Sequence, residues 1–106
     1  MSVPGNGGPT PPARLLGCWR LVRADDDLDF APGVRMEFQQ GGRLRYEFDV
    51  GDRRQVVHLL YRVEGDTLHT DYPATSHARS TRFHIGAGDV LVFDFVGPRA
   101  WFVREL

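Results

Sequence analysis

Residues 34–48, VRMEFQQGGRLRYEF, carry two runs of alternating apolar and polar side chains on either side of a glycine pair. That alternation has the period of two of a strand with one buried face. With Gln40-Gly41-Gly42 as a three-residue hairpin loop and a glycine in the left-handed position, Phe38 faces Leu44, Met36 faces Tyr46 and Val34 faces Phe48. On the opposite face Glu37 meets Arg45 and Arg35 meets Glu47. One face is then apolar apart from a tyrosine hydroxyl. The other carries two opposite-charge pairs, each worth roughly 0.2–1 kcal/mol. A slip of one residue would turn every side chain to the wrong side, so the turn and the pattern specify the same register.

The same rhythm runs along the rest of the chain, with turn residues about every ten positions, the mark of an antiparallel sandwich or barrel. It predicts strands near 18–24, 34–39, 43–50, 55–63, 67–72, 79–85, 89–96 and 100–105, with a helical turn only at Ala13–Leu16. Gly65-Asp66 as a two-residue turn sets Val63 against Leu68, Tyr61 against Thr70 and Leu59 against Tyr72, with His69 opposite Arg62 on the outer face. Gly86-Ala87-Gly88 as a loop sets Phe83 against Leu91 and Thr81 against Phe93. Proline favours the first central position of a turn, so Pro98-Arg99 as the last loop sets Phe95 against Phe102 and Phe93 against Arg104. The expected interior is Trp19, Leu21, Val34, Met36, Phe38, Leu44, Tyr46, Phe48, Val57, Leu59, Tyr61, Leu68, Tyr72, Phe83, Leu91, Phe93, Phe95 and Phe102. Burial of such side chains stabilises by at most roughly 1.5–3 kcal/mol each, most of it offset by chain entropy.

The 106 residues suit one domain. Residues 1–12, MSVPGNGGPTPP, are rich in Pro and Gly and predict a disordered tail, leaving 13–106 as the folded domain. The start has neither a basic cluster nor an apolar run, which predicts no signal peptide and a cytoplasmic location, and no stretch is long enough for a membrane span. The formal net charge of −1 argues against an electrostatic grip on nucleic acid. Cys18 is the sole cysteine, so no internal disulfide forms. All thirteen strongly basic residues are arginines.

Gly17-Cys18-Trp19 at the head of the first strand, Arg104 in the last, and the Tyr61–Leu68 hairpin of form Tyr-x-Val-x-Gly-Asp-x-Leu together resemble the lipocalin and fatty-acid-binding superfamily, the calycins, and in particular short bacterial lipocalin-like domains. The resemblance spans about Leu15 to Leu106. It implies an all-β, up-and-down antiparallel barrel of about eight strands, with Arg104 stacked on Trp19 as a cation–π closure of one end. It also implies binding of a small apolar molecule. A barrel of this size is either filled by side chains or holds one small ligand. The expected ligand-binding residues are Tyr46, Phe48, Tyr61, Tyr72, Phe83 and Phe93, with Arg104 or a tyrosine hydroxyl orienting a polar end.

Other chemistry has weaker support in the residues. His58, His69, His77 and His84 include no ligand-like pair, and no metal or cofactor is expected; a haem held by one histidine is not tied to any of them. Asp25–Asp29 lacks the glycine and terminal glutamate of a calcium loop. Asp71 with Thr75-Ser76-His77 lacks a nucleophile elbow, leaving that loop as a lid over a barrel mouth. Arg43, Arg45, Arg53, Arg54 and Arg62 are interspersed with acids and read as a solvated face. Three functions fit this pattern. The first is a binder of a small apolar or amphipathic molecule. The second is a natural-product cyclase or isomerase that preorganises its substrate. The third is an inhibitor- or immunity-type interaction module in which Trp101, on the outer face, contacts a partner or a second copy.

Overall fold

The computed structural model describes residues 13–74 and 77–105, so the expected tail at 1–12 and the Thr75-Ser76 pair lie outside the described residues. Eight strands form, β1 (Gly17–Ala24), β2 (Arg35–Gln39), β3 (Arg43–Val50), β4 (Arg53–Glu64), β5 (Thr67–Tyr72), β6 (His77–Gly86), β7 (Val90–Asp94) and β8 (Arg99–Glu105). Each pairs antiparallel with its neighbour in sequence, and β8 returns to β1 to close the barrel. Closure removes the free edges that an open sheet would expose to other chains. The β1–β8 ladder shifts register between Leu21 and Arg23, an irregularity of the kind that bends a strand at a barrel corner. Ala13–Leu16 is a hydrogen-bonded turn, Leu16 N–H donating to the Ala13 carbonyl at 3.3 Å. Among the described residues no helix is long and apolar enough to cross a membrane.

The β2–β3 hairpin has the expected register, with Phe38 opposite Leu44 and Met36 opposite Tyr46. In the β4–β5 hairpin Val63 pairs with Leu68 and Tyr61 with Thr70. The expected partners in the last two hairpins are corrected. In β6–β7 Phe83 pairs with Phe93 and Ile85 with Leu91, two residues beyond the expected register. The loop there is Ala87-Gly88-Asp89, and both Gly88 (φ 74°) and Asp89 (φ 57°) are left-handed, a conformation that aspartate tolerates better than most residues. In β7–β8 Leu91 pairs with Phe102 and Phe93 with Ala100, which displaces the register by four. The cause is Asp94, whose Oδ1 accepts the N–H groups of Val96 and Gly97 at 3.0 and 3.1 Å. That side-chain turn starts the reversal before Pro98, and it holds Val96, a β-branched residue, at φ 63°. Both displacements are even, so partners change while every inward side chain stays inward.

Two expected ion pairs also have different partners. Arg45 is 2.8 Å from Glu47 on its own strand, and Arg35 Nε donates to Glu105 on β8 at 2.7 Å. The core gathers Trp19, Val34, Met36, Phe38, Leu44, Tyr61, Leu68, Phe83, Leu91, Phe93 and Phe102 as the pattern required, and adds Leu15, Val63 and Ala100.

Candidate functional site

Antiparallel order assigns each strand end to one end of the barrel. The lower end holds the start of β1, β3, β5 and β7 and the finish of β2, β4, β6 and β8. Trp19 lies there, completely buried. Its indole Nε1–H donates to the Leu15 carbonyl at 2.9 Å, so the turn before β1 folds under the barrel. Arg104, opposite Trp19 in the ladder, lays its guanidinium carbon 4.3 Å from the indole centroid. The same guanidinium donates to the carbonyl of Leu16 at 2.7 Å and to that of Arg14, and its Nε lies 3.5 Å from Asp89. Gly17 sits beside it at φ 115°. A Cβ at that position would come within 2.9 Å of Arg104 Nη1, which explains why glycine precedes the tryptophan by two. This end is a structural closure.

The upper end is hollow. A cavity of about 370 Å³ lies between β2, β3, β4, β5, β6, β7 and β8, a size within the range of small-molecule sites. Its walls are mainly aromatic and aliphatic: Tyr46, Phe48 and Val57 from β3 and β4, Phe93 from β7, with Phe95 beyond it and Phe102 at its floor. Phe30, from the loop between β1 and β2, closes over this wall, its ring 6.4 Å from those of Phe95 and Phe102. Val34 anchors that loop in the core, and its carbonyl accepts the Leu21 N–H at 3.0 Å. Polar groups in the lining are few: the Tyr46 hydroxyl, Thr70, Thr81 and Arg79. A tyrosine hydroxyl keeps its proton at neutral pH and can donate from the lining, and burial pushes the Tyr46 pKa further above its ordinary value.

Of the expected ligand-binding residues, Tyr46, Phe48 and Phe93 line the cavity. Tyr61, Tyr72, Phe83 and Arg104 are not among its lining residues. The Tyr61 hydroxyl donates to the Gln39 carbonyl at 2.9 Å and its ring packs edge-on against Phe38, which makes it a core residue with a satisfied polar end. Phe83 is buried in the core, Tyr72 stands half-buried at the end of β5, and Arg104 belongs to the opposite end. Phe30 and Arg79 were missed. Phe30 lies in an acidic loop without strand periodicity, where the spacing Leu28-x-Phe30 is the only hint of an inward pair. Arg79 shares the parity of Thr81 and Phe83 and so could have been read as inward.

Of the remaining candidates, His58, His69, His84 and Trp101 have the outward parity of their strands. His58 and His84 are exposed, and among the described residues no group of three or more His, Cys, Asp or Glu could hold a metal ion. His69 bridges Ser80 Oγ at 2.7 Å through Nδ1 and Glu64 Oε1 at 2.7 Å through Nε2. Glu64 is shared with Arg62, which holds its carboxyl below the usual range. The group is a cross-strand polar ladder tying β4, β5 and β6. Arg45, Arg54 and Arg62 of the basic region are each matched by a carboxylate. Trp101 is half-buried under Arg23, whose guanidinium carbon is 4.6 Å from the ring centroid. No family model, no curated protein and no solved structure matches this chain.

Proposed function

We propose that this barrel binds a small apolar or amphipathic molecule in its upper cavity, and that it does so as a lipocalin-like domain. The observation that carries the reading is the aromatic wall around about 370 Å³ of unfilled space, in a barrel whose other end is capped by the buried Leu15 and Trp19. A ligand entering there would cover the rings of Phe30, Phe48 and Phe95, which are all half-exposed, and apolar area removed from water stabilises by about 25 cal/mol per Å² before association costs. The closed eight-strand order and the Trp19–Arg104 stack support the lipocalin-like part of the reading.

A neutral naphthalene probe, 2-naphthamide, tests the cavity by its fluorescence in titration with the full chain. Saturable binding is expected, lost in Val57→Trp, which fills the space from β4, and retained in Tyr61→Phe, which leaves the cavity wall intact. Equal binding to the wild type and Val57→Trp would place the probe elsewhere and remove the proposal.

A further inference from the structure

We infer that Arg79 makes the upper cavity an acid site: its ligand is a compact aromatic carboxylate whose ring enters the barrel and whose carboxylate stays at the mouth. The inference rests on the cavity reading above and names the ligand class. Register places the side chain. Tyr61, Thr70 and Arg79 are successive partners across β4, β5 and β6, and Tyr61 is inward and buried, so Thr70 and Arg79 share the interior face. The neighbouring carboxylate on β5, Asp71, pairs with Ala78 and has the outward parity. Among the described residues Arg79 is the one charged residue in the cavity lining, and it forms no ion pair with any of them.

Seven other arginines, Arg20, Arg35, Arg45, Arg54, Arg62, Arg82 and Arg104, lie against carboxylates; among the described residues Arg14, Arg23, Arg43, Arg53 and Arg99 do not, but none of these lines the cavity. A free guanidinium at the rim of an apolar recess has five donors and a planar fork suited to a carboxylate. The Tyr46, Thr70 and Thr81 hydroxyls add donors along the same wall. None of the described lining residues is acidic, so an anion meets no like charge from them.

Size and shape set the rest of the ligand. About 370 Å³ lies at the small end of the range for small-molecule sites, which suits a compact ligand. Phe30, Tyr46, Phe48, Phe93, Phe95 and Phe102 offer ring faces and edges, the surfaces against which a planar aromatic packs best.

The test compares 2-naphthoate with the isosteric neutral 2-naphthamide, by calorimetry and fluorescence, on the full chain and on Arg79→Gln. Wild type is expected to prefer the acid by roughly tenfold or more, with the preference shrinking as salt rises. Arg79→Gln should abolish the preference, and an unchanged circular dichroism spectrum shows that the variant is folded. Equal affinity for acid and amide, or a preference that survives Arg79→Gln, overturns the inference while leaving the cavity reading intact. Failure of both probes to bind the wild type overturns the cavity reading, and this inference with it.

Discussion

At the lower end of the barrel Leu15, Trp19, Phe38 and Leu91 are at most 1 % exposed, whereas at the upper end Tyr46, Phe48, Val57 and Phe95 keep part of their surface open. All but Leu15 sit on or beside strands, at inward positions of one alternating pattern. The pattern decides which face a side chain takes, and the covering segment decides whether that face is packed. Below, the Ala13–Leu16 turn inserts Leu15 and offers carbonyls to both the Trp19 indole and the Arg104 guanidinium. Above, the loop between β1 and β2 contributes Leu28 and Phe30 from an otherwise polar, acidic run. Two apolar side chains cannot fill a space bounded by seven strands, and the cavity is what remains.

The comparison is broken most severely from below. Trp19→Ala removes a completely buried ring and leaves the Arg104 guanidinium without the face it covers. A loss of about 3–5 kcal/mol is expected, the usual range for a large aromatic truncated in a core, read as a fall in the urea midpoint with an unchanged slope. A loss under about 1 kcal/mol would mean that the lower end relaxes around the hole, and that its dense packing is not what holds the barrel shut.

Phe30→Ala probes the upper end and should behave differently. The ring is half-buried and meets Phe95 and Phe102 only at 6.4 Å between centroids, so the stability cost should be about 1–2 kcal/mol, well below that of a core phenylalanine. The affinity for 2-naphthamide should weaken by roughly threefold to tenfold, since part of the wall is gone. A stability loss as large as that of Trp19→Ala would show that the loop is core and the two ends alike.

Most of this architecture is legible in the residues. The alternation in Val34–Phe48 specifies its own hairpin, and Gly65-Asp66 specifies the next. What fails is the register around Gly86 and Pro98, because the turn chemistry there depends on Asp89 adopting a left-handed conformation and on the Asp94 carboxylate capturing two backbone N–H groups. Neither is visible in a tally of glycine and proline. The aromatic wall is half legible for the same reason. Parity gives Tyr46, Phe48 and Phe93, but height along the barrel axis is set by strand pairing. Tyr61 and Phe83 therefore lie with the packed half, and Phe30 enters from a loop that has no period to read.

The mildest test of the comparison uses pH on the outer surface, at an ion pair that touches neither the Trp19 closure nor the cavity wall. Asp66 in the β4–β5 turn lies 2.6 Å from Arg82 on β6, and that hydrogen bond and charge hold its carboxyl below the ordinary aspartate value. A depressed folded-state pKa contributes stability above the unfolded value, and the contribution is lost as pH falls through the folded one. Both side chains are well exposed, so water and salt screen the pair and the effect on stability is small. Arg82→Gln should lower the thermal midpoint slightly at neutral pH. The gap to the wild type should close as the pH drops below the aspartate reference of about 4, and also in high salt. Probe binding should not move, because Arg82 has the outward parity of β6 and does not line the cavity. A gap that stays constant with pH would assign the difference to lost packing of the arginine stem rather than to its charge.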